Sequence, residues 1–186
     1  MKVKDIIASA LRLIGRSELV SDLSDPSRSA EEDAEEVVET LLYCFNAVED
    51  ELARKYIPLI TSEKMYSDDT RFFYSDFQHY PVKIKKVTAS DGEAKFEIFS
   101  KYMAVKAKGI EVEYEYAPKR KGLEDDSDFD KDAGEYLIAL GTASEYFVIN
   151  GEVEMADRFE KQYRAQLDRI QRTLSVCAHI PPRRWV

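Results

Sequence analysis

Residues 110–116 read Ile-Glu-Val-Glu-Tyr-Glu-Tyr. Apolar and charged side chains alternate at every step, which is the period of an extended chain whose successive residues point to opposite faces. A helix cannot gather Ile110, Val112, Tyr114 and Tyr116 on one side. A strand does so, and turns Glu111, Glu113 and Glu115 toward solvent or a basic partner. The middle of the chain is thereby committed to a sheet, while both flanks repeat at the helical period. Any fold must join a β centre to helical ends.

The first flank opens with Val3, Ile6, Ile7, Ala10, Leu11 and Ile14, spaced by threes and fours. This predicts a helix over 3–15, stopped by Gly15, since glycine accepts the left-handed conformation past a helix end. Residues 16–28 are polar and contain the breaker Asp25–Pro26, so they read as a loop. Ser29 and Glu32 form a capping box, and Glu31, Glu32 and Asp33 place negative charge at the positive end of the next helix. Its stripe runs through Ala34, Val37, Val38, Leu41, Phe45, Val48 and Leu52 to Tyr56, and Pro58 ends it. A helix over 30–56 would be roughly 40 Å long, enough for a strut.

The β module is expected over 57–118. Phe72, Phe73, Tyr74, Phe77 and Tyr80 make an aromatic stretch that serves either as core or as an interface patch. Val82 and Ile84 alternate with lysines until Val87 breaks the phase, which predicts a bulge near Lys85 and Lys86. Asp91–Gly92 is a hairpin signal, with Phe96 and Ile98 expected on the return strand. Residues 119–131 read as a charged, solvated linker. Asp132 and Glu135 suggest a second capping box and a helix over 133–149 through Tyr136, Leu137, Leu140, Ser144, Phe147 and Val148. Asn150–Gly151 turns the chain. A last helix over 152–174 carries Val153, Ala156, Phe159, Tyr163, Leu167, Ile170 and Leu174. The expected product is one α+β domain over 1–174: a helical bundle from the N- and C-terminal helices with an inserted antiparallel β module. Beyond it, an extended tail is expected over 175–186.

Candidate chemistry is sparse. His79 and His179 have no sequence neighbours that suggest a triad, and no phosphate loop or nucleophile elbow occurs. Cys44 and Cys177 make no metal or redox spacing, which suggests synthesis in a reducing cytoplasm. Cys44, beside the stripe of the long helix, reads as a small buried hydrophobe. Read as a calcium loop from Glu124 to Glu135, the acidic run fails at position 1, which is not Asp, and at position 6, where Phe129 stands in place of the required glycine. No enzyme, cofactor or metal is expected. No apolar run is long enough to span a membrane, and no signal peptide precedes the first helix.

Charge is uneven within a net −9. Residues 1–60 carry seven basic and thirteen acidic side chains, or −6; residues 158–186 carry seven basic against two acidic, or +5. A chain with an acidic front and a basic end can pair with itself head to tail or with an acidic partner. The last residues stand apart. Pro181 and Pro182 impose an extended path, and Arg183, Arg184, Trp185 and Val186 come after them with no stripe to bury them. Arg and Trp are enriched in binding hot spots.

Five segments in order make a pattern. They are the opening helix Ile6-Ile7-Ala8-Ser9-Ala10-Leu11-Arg12-Leu13-Ile14-Gly15, the long acidic-capped helix, and the β insertion closing at Ile110–Pro118. After an acidic linker come Tyr136-Leu137-Ile138-Ala139-Leu140-Gly141 and a final helix opening at Gly151-Glu152-Val153-Glu154. The pattern resembles the head–tail connector (adaptor) proteins of tailed bacteriophages, in architecture rather than in a diagnostic motif. The resemblance implies a virion structural protein made in the host cytoplasm. It would form a homo-oligomeric ring, commonly of twelve copies, docked on the portal and extending the DNA channel. Its partners would be the portal, a downstream tail or stopper protein, and genomic DNA passing without sequence specificity. The residues expected at the portal are Pro181, Pro182, Arg183, Arg184, Trp185 and Val186. The alternative is a soluble non-enzymatic binding or regulatory module.

Overall fold

A computed structural model describes residues 1–24, 32–129 and 133–177. The fold is α+β. The chain has two compact units: a helical unit from Met1–Glu51 and Arg120–Val186, and a β unit from Leu52–Lys119.

In the helical unit, α1 (Val3–Leu13) buries Val3, Ile6, Ile7, Ala10 and Leu11, and Gly15 lies past its end at φ +81°. Where the sequence suggested a loop after residue 16, a 3-10 turn (Ser17–Leu19) leads into the short α2 (Val20–Ser24), and Leu19 is buried. Helix α3 (Glu32–Glu51) continues through a π-helical turn (Leu52–Tyr56), so the long helix is present. Ala34, Leu41, Cys44, Phe45 and Val48 are buried along it. The capping residue proposed for it, Ser29, lies outside the described residues.

Helix α4 (Glu135–Ile149) is the centre of this unit. Nine consecutive or near-consecutive residues from Leu137 to Phe147 are buried, and α1, α3 and α5 (Val153–Cys177) all pack along it. A helix buried nearly all round needs little amphipathicity, which is why its sequence reads as an apolar run. Gly141 lets the neighbours approach. A Cβ there would stand 2.9 Å from Val48 Cγ1 and 3.0 Å from Tyr163 Cε2. Asp132, the capping residue proposed for α4, lies outside the described residues. The residue at the helix start is Gly134, at φ +67° and with no side chain to cap, and Glu135 instead accepts a hydrogen bond from Ser9 of α1. Helix α5 runs to Cys177, three residues beyond the expected end.

The segment expected as a solvated linker is a strap. Lys2, before α1, offers no side-chain cap. The free N–H groups of the first turn find strap carbonyls instead: Val3 donates to Asp125 (3.0 Å) and Lys4 to Leu123 (3.1 Å), while Ser127 N–H returns a bond to Met1 (2.9 Å). Asn46 of α3 grips the strap from the other side, accepting from Lys121 N–H at 2.7 Å and donating to Lys121 C=O at 3.1 Å. Phe129 is 2% exposed. Backbone pairing, invisible to side-chain periodicity, holds this segment in place.

The β unit has two antiparallel sheets. One orders β1 (Leu59–Tyr66), β7 (Gly109–Tyr116), β3 (Pro81–Ala89) and β4 (Gly92–Glu93) as β1-β7-β3-β4; the other orders β2 (Arg71–Phe73), β6 (Tyr102–Val105) and β5 (Phe96–Ile98) as β2-β6-β5. The alternating strand β7 is central, with Ile110, Val112 and Tyr114 buried and Glu111 and Glu113 exposed. The bulge falls where expected: Ile84 pairs with Tyr114 and Lys86 with Glu113, leaving Lys85 extra. The hairpin forms, but its return strand is only Gly92–Glu93, and Phe96–Ile98 joins the second sheet. Phe72, Phe77, Met103 and Val105 meet Val87, Ile110, Val112 and Tyr114 in one core.

Candidate functional site

Any catalytic reading must start where polar side chains converge out of water. The clearest such place in the β unit surrounds Tyr114. Its hydroxyl accepts from the backbone N–H of His79 at 3.3 Å and lies close to the Glu63 carboxylate. Glu63 Oε2 accepts from the N–H of Gln78 at 3.2 Å, and the His79 ring stacks on Tyr116 at 4.3 Å. Burial, then the nearby Glu63 charge, pushes the Tyr114 hydroxyl above its ordinary pKa, so it stays protonated and is a poor nucleophile. Glu63 Oε1 and His79 Nδ1 are buried with no hydrogen-bond partner among the described residues. The cluster ties residues 77–79 to the inner face of the sheet. Sequence reasoning set His79 aside and missed Glu63, whose inward position on β1 breaks no pattern that one strand alone reveals.

A second buried carboxylate is Glu49 on α3, 1% exposed. Its Oε1 accepts from Ser127 Oγ at 2.5 Å and from the Asp128 N–H at 3.3 Å; Oε2 has no partner among the described residues. Burial raises its pKa, and the Asp128 charge adds to this against the Ser127 bond and Lys121. The neighbouring strap acids are engaged: Asp126 with Lys2 (3.0 Å) and Asp128 with Lys121 (2.9 Å). Phe129 fills the place where a calcium loop turns on glycine. Among the described residues no group of three or more His, Cys, Asp or Glu is arranged to hold a metal ion. Cys44 is fully buried, as its place beside the stripe suggested, and burial pushes its thiol up to about 12.

Lys64, Lys83 and Lys86 lie in register with Glu111, Glu115 and Glu113 on the outer face of the first sheet, and Lys85 pairs with Glu115 at 3.2 Å. Of the glutamate row, Glu115 thus has an ion-pair partner within the sheet, and Glu111 accepts a hydrogen bond from Ser62 at 3.1 Å. The aromatic stretch divides: Phe72 and Phe77 are core, whereas Phe73 and Tyr80 are exposed. Phe73 and Phe99 flank Tyr102 at 5.6 and 4.8 Å, with Arg71 over the Tyr102 ring. A cleft of about 480 Å³ beside this sheet has an alanine-rich floor (Ala89, Ala94, Ala104, Ala107) and a rim of mixed charge.

In the helical unit the uneven charge resolves onto two helices. From Asp33 to Glu51, α3 carries seven acidic and no basic residues; from Arg158 to Arg172, α5 carries five basic against Glu160 and Asp168. The portal-binding candidates Pro181, Pro182, Arg183, Arg184, Trp185 and Val186, with His179, lie outside the described residues. Among the described residues no helix is long and apolar enough to cross a membrane. No protein-family model matches the sequence, and no curated protein matches it.

Proposed function

We propose that this protein is a non-enzymatic virion component, a head–tail adaptor whose copies form a ring beneath the portal of a tailed bacteriophage and extend its DNA channel. The observation that carries the reading is the architecture: N- and C-terminal helices join in one unit around α4, and the whole of 52–119 is a β unit inserted between them. That is the arrangement the resemblance implies.

The segment after α5 is the portal-binding element in this proposal. Pro181 and Pro182 favour an extended path that suits a groove or sheet edge, Trp185 supplies an apolar anchor, and Arg183 and Arg184 pair with an acidic rim. The ring would also meet a downstream tail or stopper protein. DNA would pass weakly and without sequence preference, because a chain of net −9 releases few counterions on a duplex. Co-sedimentation with DNA-filled, adaptor-free heads tests this. The full chain should pellet with the heads and a chain lacking 178–186 should not. Equal pelleting of both would take the tail out of the interface, and no pelleting of the full chain would defeat the adaptor reading.

A further inference from the structure

Both charged helices of the helical unit pack along α4, and Val48 of α3 and Tyr163 of α5 both stand over its Gly141. Helix α3 buries Leu41, Phe45 and Val48, so its far side presents Glu36, Glu39, Tyr43 and Ala47, all exposed, with Tyr43 at 62%. The carboxylates of Glu35, Glu36 and Glu39 make no hydrogen bond or ion pair among the described residues. Helix α5 buries Ala156, Phe159, Tyr163 and Leu167, and its far side presents Arg158, Lys161, Ala165, Arg169 and Arg172, all exposed. Lys161 and Arg164 are paired within the helix to Asp157 and Glu160, both at 2.5 Å. Such exposed i,i+4 pairs contribute little and give way easily to a better partner.

We propose that the acidic outer face of α3 in one copy docks on the basic outer face of α5 in the next, with Tyr43 set among the arginines, so that copies associate head to tail. The proposal rests on the ring reading and names the surfaces that would build it. Three features of the helices support a second copy as the occupant. The stretch from Glu36 to Asp50 and the stretch from Arg158 to Arg172 each cover fourteen residue steps, roughly 21 Å at ~1.5 Å per residue, so the two faces match in length. Each carries an alanine, Ala47 or Ala165, on its exposed surface, which allows close approach of the helix axes. The signs are opposite, so the contact excludes its own mirror: α3 against α3, or α5 against α5, sets like charges together. The interface is therefore heterologous, the kind that generates rings when the rotation closes. Tyr43 stacked on a guanidinium is the expected anchor, since arginine binds the face of an aromatic ring and both residue types are favoured at interface centres.

Sedimentation velocity on the full chain tests the pairing. Association should be strongest near ~0.01 M salt and lost near ~1 M, where the screening length falls from about 30 Å to about 3 Å. Glu36→Arg with Glu39→Arg, and separately Arg158→Glu with Arg172→Glu, should each weaken self-association by about a hundredfold, since like-charge juxtaposition opposes docking by several kcal/mol. All four positions are exposed, so both variants should melt with the parent. An equimolar mixture of the two variants should associate again, because each reversed face then meets a reversed partner. A parent that stays monomeric at low salt, or a mixture no better than its components, would overturn the proposal. Parent rings indifferent to both reversals would overturn this interface and leave the ring reading standing. Failure of the parent to bind heads would sink the adaptor reading and leave the pairing intact.

Discussion

Gly141 sits in the interior of α4, where helix propensity alone argues for alanine. In an ordinary helix the change would stabilise by about 1 kcal/mol. Here the added methyl would stand 2.9 and 3.2 Å from the two Cγ atoms of Val48 and 3.0 Å from Tyr163 Cε2. Val48 is β-branched and holds one strongly preferred rotamer on a helix, so its methyls cannot swing aside. Tyr163 is 3% exposed and has no open space to enter. Overpacking of this kind costs about 1–3 kcal/mol, and three crowded contacts on stiff neighbours place it in the upper half. Net of the propensity gain, Gly141→Ala should destabilise by about 1–2 kcal/mol, a fall of roughly 2–8 °C in Tm for a chain of this size. Thermal unfolding monitored by circular dichroism at the helix band reads it. A double-mutant cycle makes the test sharper. Val48→Ala alone loses two buried methyls, about 1.6 kcal/mol in transfer plus a cavity term. In the double variant the new methyl enters the vacated space, so the pair should cost at least ~1 kcal/mol less than the sum. A Gly141→Ala protein that melts at or above the parent, or a strictly additive cycle, would refute the close-approach role of this glycine.

Leu41 is fully buried in the stripe of α3. Leu41→Asp should therefore lose several kcal/mol, because it strands an unpaired charge, and an unchanged melting temperature would show the stripe to be misassigned. Glu49, raised by burial above its ordinary 4.5, binds its proton more tightly folded than unfolded, so its contribution is fully present below 4.5 and is lost as pH rises through the folded value. Urea midpoints across that window should decline less steeply for Glu49→Gln than for the parent; identical slopes would place the titrating group elsewhere. Cys44, with its thiol pushed up to about 12, should resist maleimide at pH 8 in the native protein and react once unfolded, as peptide mapping will show; rapid native labelling would mean that α3 opens locally.

The sequence by itself determined the elements whose cause is local. The alternation at 110–116 names its own buried face whatever strand lies beside it, and the phase break after Ile84 marks the bulge because an extra residue flips every later side chain. The stripes of α1, α3 and α5 were equally legible, since one helix face meets the core regardless of what fills it. Partners were another matter. Phe96 and Ile98 carry the same pattern in either sheet, and only the packed unit assigns them to β6 rather than to β3. The strap at 121–129 has no apolar period. Its order comes from carbonyls that satisfy the first turn of α1 and from the grip of Asn46 and Glu49, contacts that span from 75 to more than 120 positions of sequence. Gly141 and the Glu63–Tyr114 link likewise take their meaning from side chains on distant elements. A window of sequence states which face of an element avoids water; which surface it then meets is set by the simultaneous packing of elements far apart in the chain, and that is a property of the tertiary structure alone.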